Sequence, residues 1–374
     1  MKRLGRLLST SVSASLLAIV AGLAAGFLIL LFSNPSSAFQ GLLIILKGGW
    51  NTGVKGLGQV LYYATPIIMT GLSVGFAFKT GLFNIGAPGQ LVVGGFVATY
   101  VGALWPMPAG LHWAFALLCG MVAGGLWGLV PGLFKAYLNV NEVISSIMMN
   151  YIGLYGTRYL IKLTPLFDSL RNQTVNVLDT AVIPKGGLDR LFYNMKGNYV
   201  DVSSVNAGLY IAIGLAIVMY IILNRTTFGY ELKACGLNRN ASRYAGIDEN
   251  RSIVLSMVIA GALAGTAGAL MYLAPASGMH IHVDEIMPSQ GFNGIPVALL
   301  GLSNPIGIIF AGLFVAHITV GGSQLQSLKY MQEVIDIIIA LVIYFSAFSL
   351  AVRGLLARAK RVPASAAEKM EGVR

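Results

Sequence analysis

Apolar runs long enough to cross a bilayer recur along this chain, and that recurrence limits the fold more than any single motif. Inside lipid every backbone N–H and C=O must find a partner within the protein, which leaves helices and closed barrels. The runs have the length of a spanning helix, about 20 residues, rather than that of a barrel strand, about 10. Only 10% of the 374 residues are charged and 56% are hydrophobic, whereas soluble domains carry roughly 25% charge. The chain reads as an all-α integral membrane protein.

Ten transmembrane helices are expected, over 16–32, 60–79, 91–105, 112–134, 143–161, 207–223, 252–274, 286–302, 304–321 and 334–351. The eighth is short and interrupted by Pro288, Gly291, Gly294 and Pro296. An even number puts both termini on one side. That side carries 16 Lys/Arg, the opposite side 8, and Arg158 stays within the fifth segment. The positive-inside rule makes it the cytoplasmic face of a plasma membrane, with the chain multi-pass. The layout is an N-terminal tail with a first helix and loop (1–56), a first transmembrane repeat (57–162), an extracytoplasmic loop (163–206), a linking helix (207–223), a cytoplasmic segment (224–251), a second repeat (252–352) and a cytoplasmic tail (353–374). The two repeats run in opposite directions, as inverted repeats of transporters do. Phe83-Asn84-Ile85-Gly86-Ala87-Pro88 is echoed by Phe292-Asn293-Gly294-Ile295-Pro296.

The segment 224–251 leaves the lipid with five Lys/Arg and three Asp/Glu. Asn238 or Asn240 is placed to cap a short helix by accepting a backbone N–H. Ala241, Tyr244 and Ala245 share one face, and Arg239 and Arg243 another. Gly246 ends the turn. Such a helix either lies on lipid headgroups or docks on another protein. Elsewhere Gly120, Gly124 and Gly128, Gly71 and Gly75, and Gly261 and Gly265 recur every four residues, a spacing that lets helix backbones approach closely.

Two Gly/Pro-rich stretches, 81–90 and 291–296, are candidate pathway elements. Broken backbone at membrane depth lines a cavity or is buried in protein. Asn84, Gln90, Gln290 and Asn293 offer donors and acceptors suited to a neutral polar solute; the alternative is ordinary loops at the membrane surface. Asn150, beside Ser145 and Ser146, either bonds a neighbouring helix or faces the pathway. Arg158 is placed to snorkel.

His280-x-His282-x-Asp284 has metal-ligand residue types but no partner cluster, so neither a metal nor a cofactor is expected. His112 and His317 read as packing residues. Cys119 and Cys235 fall at different depths and read as free thiols. Lys79-Thr80 lacks the glycines of a phosphate loop, and no zinc-protease or serine-elbow motif occurs. No catalytic set is visible, and no chain of buried carboxylates marks a proton pump. A net charge of +11 lies on loops, without a basic groove of interleaved aromatics, which excludes nucleic acid. The energy source for transport is expected on another chain.

Thr227-Phe228-Gly229-Tyr230-Glu231-Leu232-Lys233-Ala234-Cys235-Gly236-Leu237-Asn238, then Ala241-Ser242-Arg243-Tyr244-Ala245-Gly246-Ile247, resembles the cytoplasmic coupling segment of bacterial ABC importer permeases. The family is the one serving branched-chain amino acids, ribose-type sugars and nucleosides, and the likeness extends over 57–352. The run Asn141-Glu142-Val143-Ile144-Ser145-Ser146-Ile147-Met148-Met149-Asn150-Tyr151 is similar to its nucleoside branch. Lys233 stands where many members have Arg, which keeps the charge and loses bidentate bonding. The resemblance implies a type II importer permease, paired with a second related permease, two cytoplasmic ABC ATPase subunits and an extracytoplasmic substrate-binding lipoprotein. It implies ATPase coupling through Gly229, Glu231, Lys233, Gly236, Asn238, Arg239, Ala241, Arg243, Tyr244 and Gly246. A ribose-type sugar permease and a self-sufficient secondary carrier are the competing readings.

Overall fold

The computed structural model describes residues 20–196, 199–274 and 280–347. The expected tails 1–15 and 353–374 lie outside them, as do the start of the first helix and the end of the last. Thirteen α-helices are described: α1 (Val20–Ser33), α2 (Ala38–Lys47), α3 (Gly53–Lys79), α4 (Ala87–Leu104), α5 (His112–Leu138), α6 (Glu142–Leu163), α7 (Gly208–Arg225), α8 (Thr227–Leu237), α9 (Arg239–Tyr244), α10 (Glu249–Tyr272), α11 (Ser289–Leu300), α12 (Pro305–Ser323) and α13 (Gln332–Ala347). Six stretches among the described residues are long and apolar enough to cross a membrane: Ala38–Lys79, Ala87–Leu104, His112–Leu138, Gly208–Arg225, Glu249–Tyr272 and Pro305–Leu328.

Two departures from the sequence reading stand out. The loop 163–206 is not free of strands. It holds two antiparallel ribbons, β1 (Phe167–Asp168) with β2 (Gln173–Thr174) and β3 (Tyr193–Lys196) with β4 (Tyr199–Val202). The stretch 291–296 is not broken, because α11 runs through it and begins after Pro288. Its glycines make room rather than bends. A Cβ on Gly291 would lie 2.6 Å from the Pro88 Cα, and one on Gly294 2.6 Å from the Thr70 carbonyl carbon.

The chain forms two compact units, one of residues up to Gly48 with those from Gly321, the other Gly49–Val320. In the first, Tyr330 donates from its hydroxyl to the Asn34 carbonyl (3.1 Å), and Gly41 packs against Leu30 and Leu325.

The second unit is built on a seam of bare backbones where α4, α5 and α10 meet. A Cβ on Gly124 would lie 2.5 Å from both the Gly261 carbonyl oxygen and the Gly265 Cα. A Cβ on Gly120 would lie 2.8 Å from the Gly94 carbonyl oxygen. The four-residue spacing thus does what small residues do in lipid, bringing helix axes close enough for dense van der Waals contact. Around the seam, α3 packs on α11, with Gly71 against Val297, while α10 packs on α4, with Gly95 against Tyr272.

Helix ends follow local chemistry. Asn139 takes the left-handed conformation (φ 51) that closes α5. Asn141 then caps α6 by accepting from the Val143 N–H at 2.8 Å. Lys135 and Glu142 pair across that turn at 2.8 Å.

Candidate transport and coupling sites

After α3 the chain turns back into the bundle, and three of the expected pathway residues fix that turn. Asn84 Nδ2 donates to Ser73 Oγ (3.0 Å) and to Gln90 Oε1 (2.8 Å), and Gln90 Nε2 donates back to Asn84 Oδ1 (3.1 Å). Asn150 of α6 accepts from the Gly89 N–H (2.9 Å) and donates to the Ile85 carbonyl (2.9 Å). Asn84, Gln90 and Asn150 are all buried. Their amides satisfy the polar groups that a chain reversal buried in protein would otherwise leave unpaired. Pro88, Gly89 and Gln90 already belong to the first turn of α4, where proline's missing N–H costs nothing. The irregular backbone is therefore 80–86 rather than the whole of 81–90.

The turn sits deep. Asn150 lies about eight residues into α6, some 12 Å along its axis. A Cβ on Gly128 would lie 3.3 Å from Gln90 Nε2, and Gly128 precedes the end of α5 by roughly 15 Å. The Ser146 hydroxyl, next to this turn and buried, has no hydrogen-bond partner among the described residues.

Gln290 and Asn293, the other two expected pathway residues, are half-buried on α11. They are separate from the amide cluster in hydrogen bonding. The Gln290 carbonyl accepts from Thr70 Oγ1 at 2.9 Å, which ties the first turn of α11 to α3. Through Gly291 and Pro88 the N-terminal turns of α11 and α4 abut.

Arg158 does not reach out toward lipid headgroups. It is buried, and its Nε donates to the Asp284 carbonyl at 3.2 Å, with Nη2 4.0 Å from Asp284 Oδ1. Its partner is 126 residues away in sequence, so no local pattern announced it. His112 is buried between Thr180 Oγ1 (2.7 Å) and the Val101 carbonyl (3.2 Å), the packing role expected of it. Cys119 and Cys235 are free thiols.

The basic segment folds into α8 and α9. Thr226 caps α8 by accepting from the Gly229 N–H (3.1 Å), and Asn238 caps α9 by accepting from the Ala241 N–H (3.1 Å). Gly246 (φ 80) follows the end of α9, and Asp248 accepts from the Arg251 N–H (3.0 Å) to start α10. Of the expected coupling residues, Gly229 is buried against α7, and Lys233 and Arg239 are half-buried. Glu231, Gly236, Asn238, Ala241, Arg243, Tyr244 and Gly246 are exposed. The face of α9 carrying Ala241 and Tyr244 is open, with Tyr244 95% exposed, while Ser242 is the buried residue. Behind the two helices, Thr80, Gly81, Cys235, Gly236, Arg239 and Ser252 line a cavity of about 180 Å³.

A family model described as branched-chain amino acid transport system, permease component, matches residues 56–347. The chain belongs to this permease family. As a permease it is 38% identical over 367 residues to the guanosine ABC transporter permease protein NupP of Bacillus subtilis, covering 96% of this chain and 98% of that one. It is 35% identical over 363 residues to the nucleoside ABC transporter permease protein NupB of Lactococcus lactis, with 96% of each chain covered. Against the glucose ABC transporter permease protein TsgB13 of Haloferax volcanii it is 32% identical over 299 residues, 79% of this permease and 76% of the relative. No solved structure matches the permease. Its several apolar helices make it a multi-pass membrane protein.

Proposed function

We propose that this permease is the membrane-spanning subunit of an ATP-driven importer that moves nucleosides inward across the plasma membrane. The observation that carries the substrate class is the nearly full-length likeness to NupP and NupB. The same likeness supports a motor elsewhere, on cytoplasmic ABC ATPase subunits, with an extracytoplasmic binding protein delivering the solute.

In this reading ten segments cross the membrane and both termini are cytoplasmic. The exchange of partners, α3 on α11 and α10 on α4, supports two inverted repeats, since each pair maps onto the other when the halves are swapped. The exposed face of α9 and the ends of α8, with Glu231, Arg243 and Tyr244 outermost, receive the ATPase. Gly229, Lys233, Gly236, Asn238, Arg239, Ala241 and Gly246 shape and seat that unit. Asn84, Gln90 and Asn150 hold the mouth of α4, and Gln290 and Asn293 that of α11, as the two halves of a solute pathway. A second, related permease covers the outward face of α6, where Tyr151 and Tyr155 stack at 6.4 Å and Ile144, Met148 and Tyr159 are exposed.

Labelled nucleoside uptake by cells lacking only this chain is expected to fall. Normal nucleoside uptake with lost sugar uptake would favour a sugar permease, the reading that TsgB13 supports. Transport by the purified chain alone in liposomes would favour a secondary carrier. Gly236→Pro and Arg243→Glu are each expected to abolish uptake with membrane insertion intact. Labelling of residue 244 from outside intact cells would reverse the orientation.

A further inference from the structure

The segment that leads into α11 is tied to an outer ribbon. Residues 281–283 run beside β2. The Thr174 N–H donates to the Ile281 carbonyl (3.0 Å), and Thr174 Oγ1 accepts from the Ile281 N–H (3.2 Å). Gln173 bridges His282 in antiparallel register. The Asn172 carbonyl accepts from the Val283 N–H (2.9 Å), and Asn172 Nδ2 donates to the Val283 carbonyl (3.0 Å). Ile281 and Val283 are buried. The β1–β2 ribbon and residues 281–283 therefore form one hydrogen-bonded body, and a few residues later that body continues into α11.

Its far end is open. At the ribbon tip Leu170 is 96% exposed and Arg171 is exposed, while the Asp168 carboxylate accepts from the Leu170 N–H (3.0 Å) and fixes the turn. The body is joined to α6 by the short turn 164–166, where the Phe167 N–H donates to the Thr164 carbonyl (3.3 Å), and by a looser side-chain contact. Arg158 reaches the Asp284 carbonyl, its ion pair with the carboxylate is stretched to 4.0 Å, and its buried Nη1 has no partner among the described residues. A buried guanidinium left with an unused donor is a costly group. It gains from any shift that supplies another acceptor.

We infer that Arg158 is a positioning residue. It sets the resting position of a lever made of the β1–β2 ribbon and residues 281–284, and displacement of the ribbon tip moves the N-terminus of α11. The inference rests on the importer reading, which supplies an outer partner for the tip.

The test uses the complete importer, reconstituted with its ATPase and binding protein. Directly opposed residues of an antiparallel pair lie about 4.5–5.5 Å apart at Cα, within the roughly 4.4–6.8 Å that a disulfide spans. In Gln173→Cys/His282→Cys, oxidation is expected to leave uptake within about twofold of the reduced form, because the lever moves without opening internally. Uptake that is lost on oxidation and regained with reductant would overturn it. Arg158→Gln is expected to raise hydrolysis in the absence of binding protein about threefold or more relative to hydrolysis in its presence. Arg158→Lys should restore most of the dependence, and Asp284→Asn, which keeps the carbonyl acceptor, should change it less. An unchanged ratio in Arg158→Gln overturns the positioning role. A wild-type complex that imports a sugar and no nucleoside overturns the substrate reading alone, and the same ratios, taken with that sugar, still decide the lever.

Discussion

Gly81 and Gly236 meet backbone to backbone: a Cβ on Gly81 would lie 2.5 Å from the Gly236 Cα, and one on Gly236 2.6 Å from the Thr80 carbonyl carbon. Contact of this kind has no side-chain slack. In the proposed coupling, a push on α8 would arrive at residue 81, three residues before the amide cluster at Asn84, without being absorbed by rotamer changes.

Alanine at either glycine is therefore expected to lower uptake by about tenfold or more, which corresponds to roughly 1.4 kcal/mol. At Gly81 (φ 75) the left-handed backbone adds about 1–2 kcal/mol of strain. Gly110 provides the comparison, since it is also left-handed (φ 89) and has nothing within 4 Å of its would-be Cβ. Uptake by Gly110→Ala should stay near wild type. Equal loss at the two left-handed positions, Gly81 and Gly110, with uptake kept in Gly236→Ala, would mean that strain, not collision, is responsible.

The seam makes a second contrast. Gly265→Ala forces a methyl toward the Gly120 carbonyl oxygen and within 2.8 Å of the Gly124 Cα. Overpacking of this kind costs about 1–3 kcal/mol. Gly156 and Gly214 sit in helices with open space around them, where alanine is the better helix former by up to ~1 kcal/mol. Thermal melts in detergent should fall for Gly265→Ala and hold or rise for Gly156→Ala and Gly214→Ala.

Asn84 and Asn293 are expected to differ. Asn84→Ala strands Ser73, Gln90 and the Gly86 N–H in a buried site, at about 1–3 kcal/mol per unsatisfied group. Stability and maximal rate should drop together. Asn293→Ala, on the half-buried face of α11, should change the concentration dependence of uptake with little change in melting temperature. If both variants lose stability equally, Asn293 is a brace too.

His280 supplies a pH dependence. Burial, with repulsion from His282 added, pushes its pKa below the ordinary 6.5. The unfolded chain then binds the proton more readily than the folded one. Stability is therefore undiminished above the ordinary value and falls as pH drops through it toward the lower folded value. Melts at pH 7.5 and 5.5 should differ less in His280→Gln than in the wild type.

The apolar runs, the glycine spacings and the caps at Asn238 and Gly246 were legible because each is a local pattern with one physical reading. Asn84, Gln90 and Asn150 were legible as polar residues among apolar ones, but not as a hydrogen-bonded cluster, since Asn150 comes from another helix. What stayed hidden depends on distant partners. The ribbons of 163–206 are two to four residues per strand, too short for any alternation to register. Gly291 and Gly294 read as breaks because glycine marks bends and close approaches alike; only Pro88 and Thr70 opposite them decide which.

The abutting first turns of α4 and α11 bear on what else such a membrane protein admits. Each helix N-terminus carries about half a unit of positive charge, and no Asp or Glu occurs in 60–100 or 289–323 to offset it. If these turns line the solute pathway as proposed, two like poles meeting at Pro88 and Gly291 would disfavour sodium, potassium and hydronium and leave an uncharged solute indifferent. On that reading a cell would keep such a doorway in its membrane without short-circuiting the voltage across it.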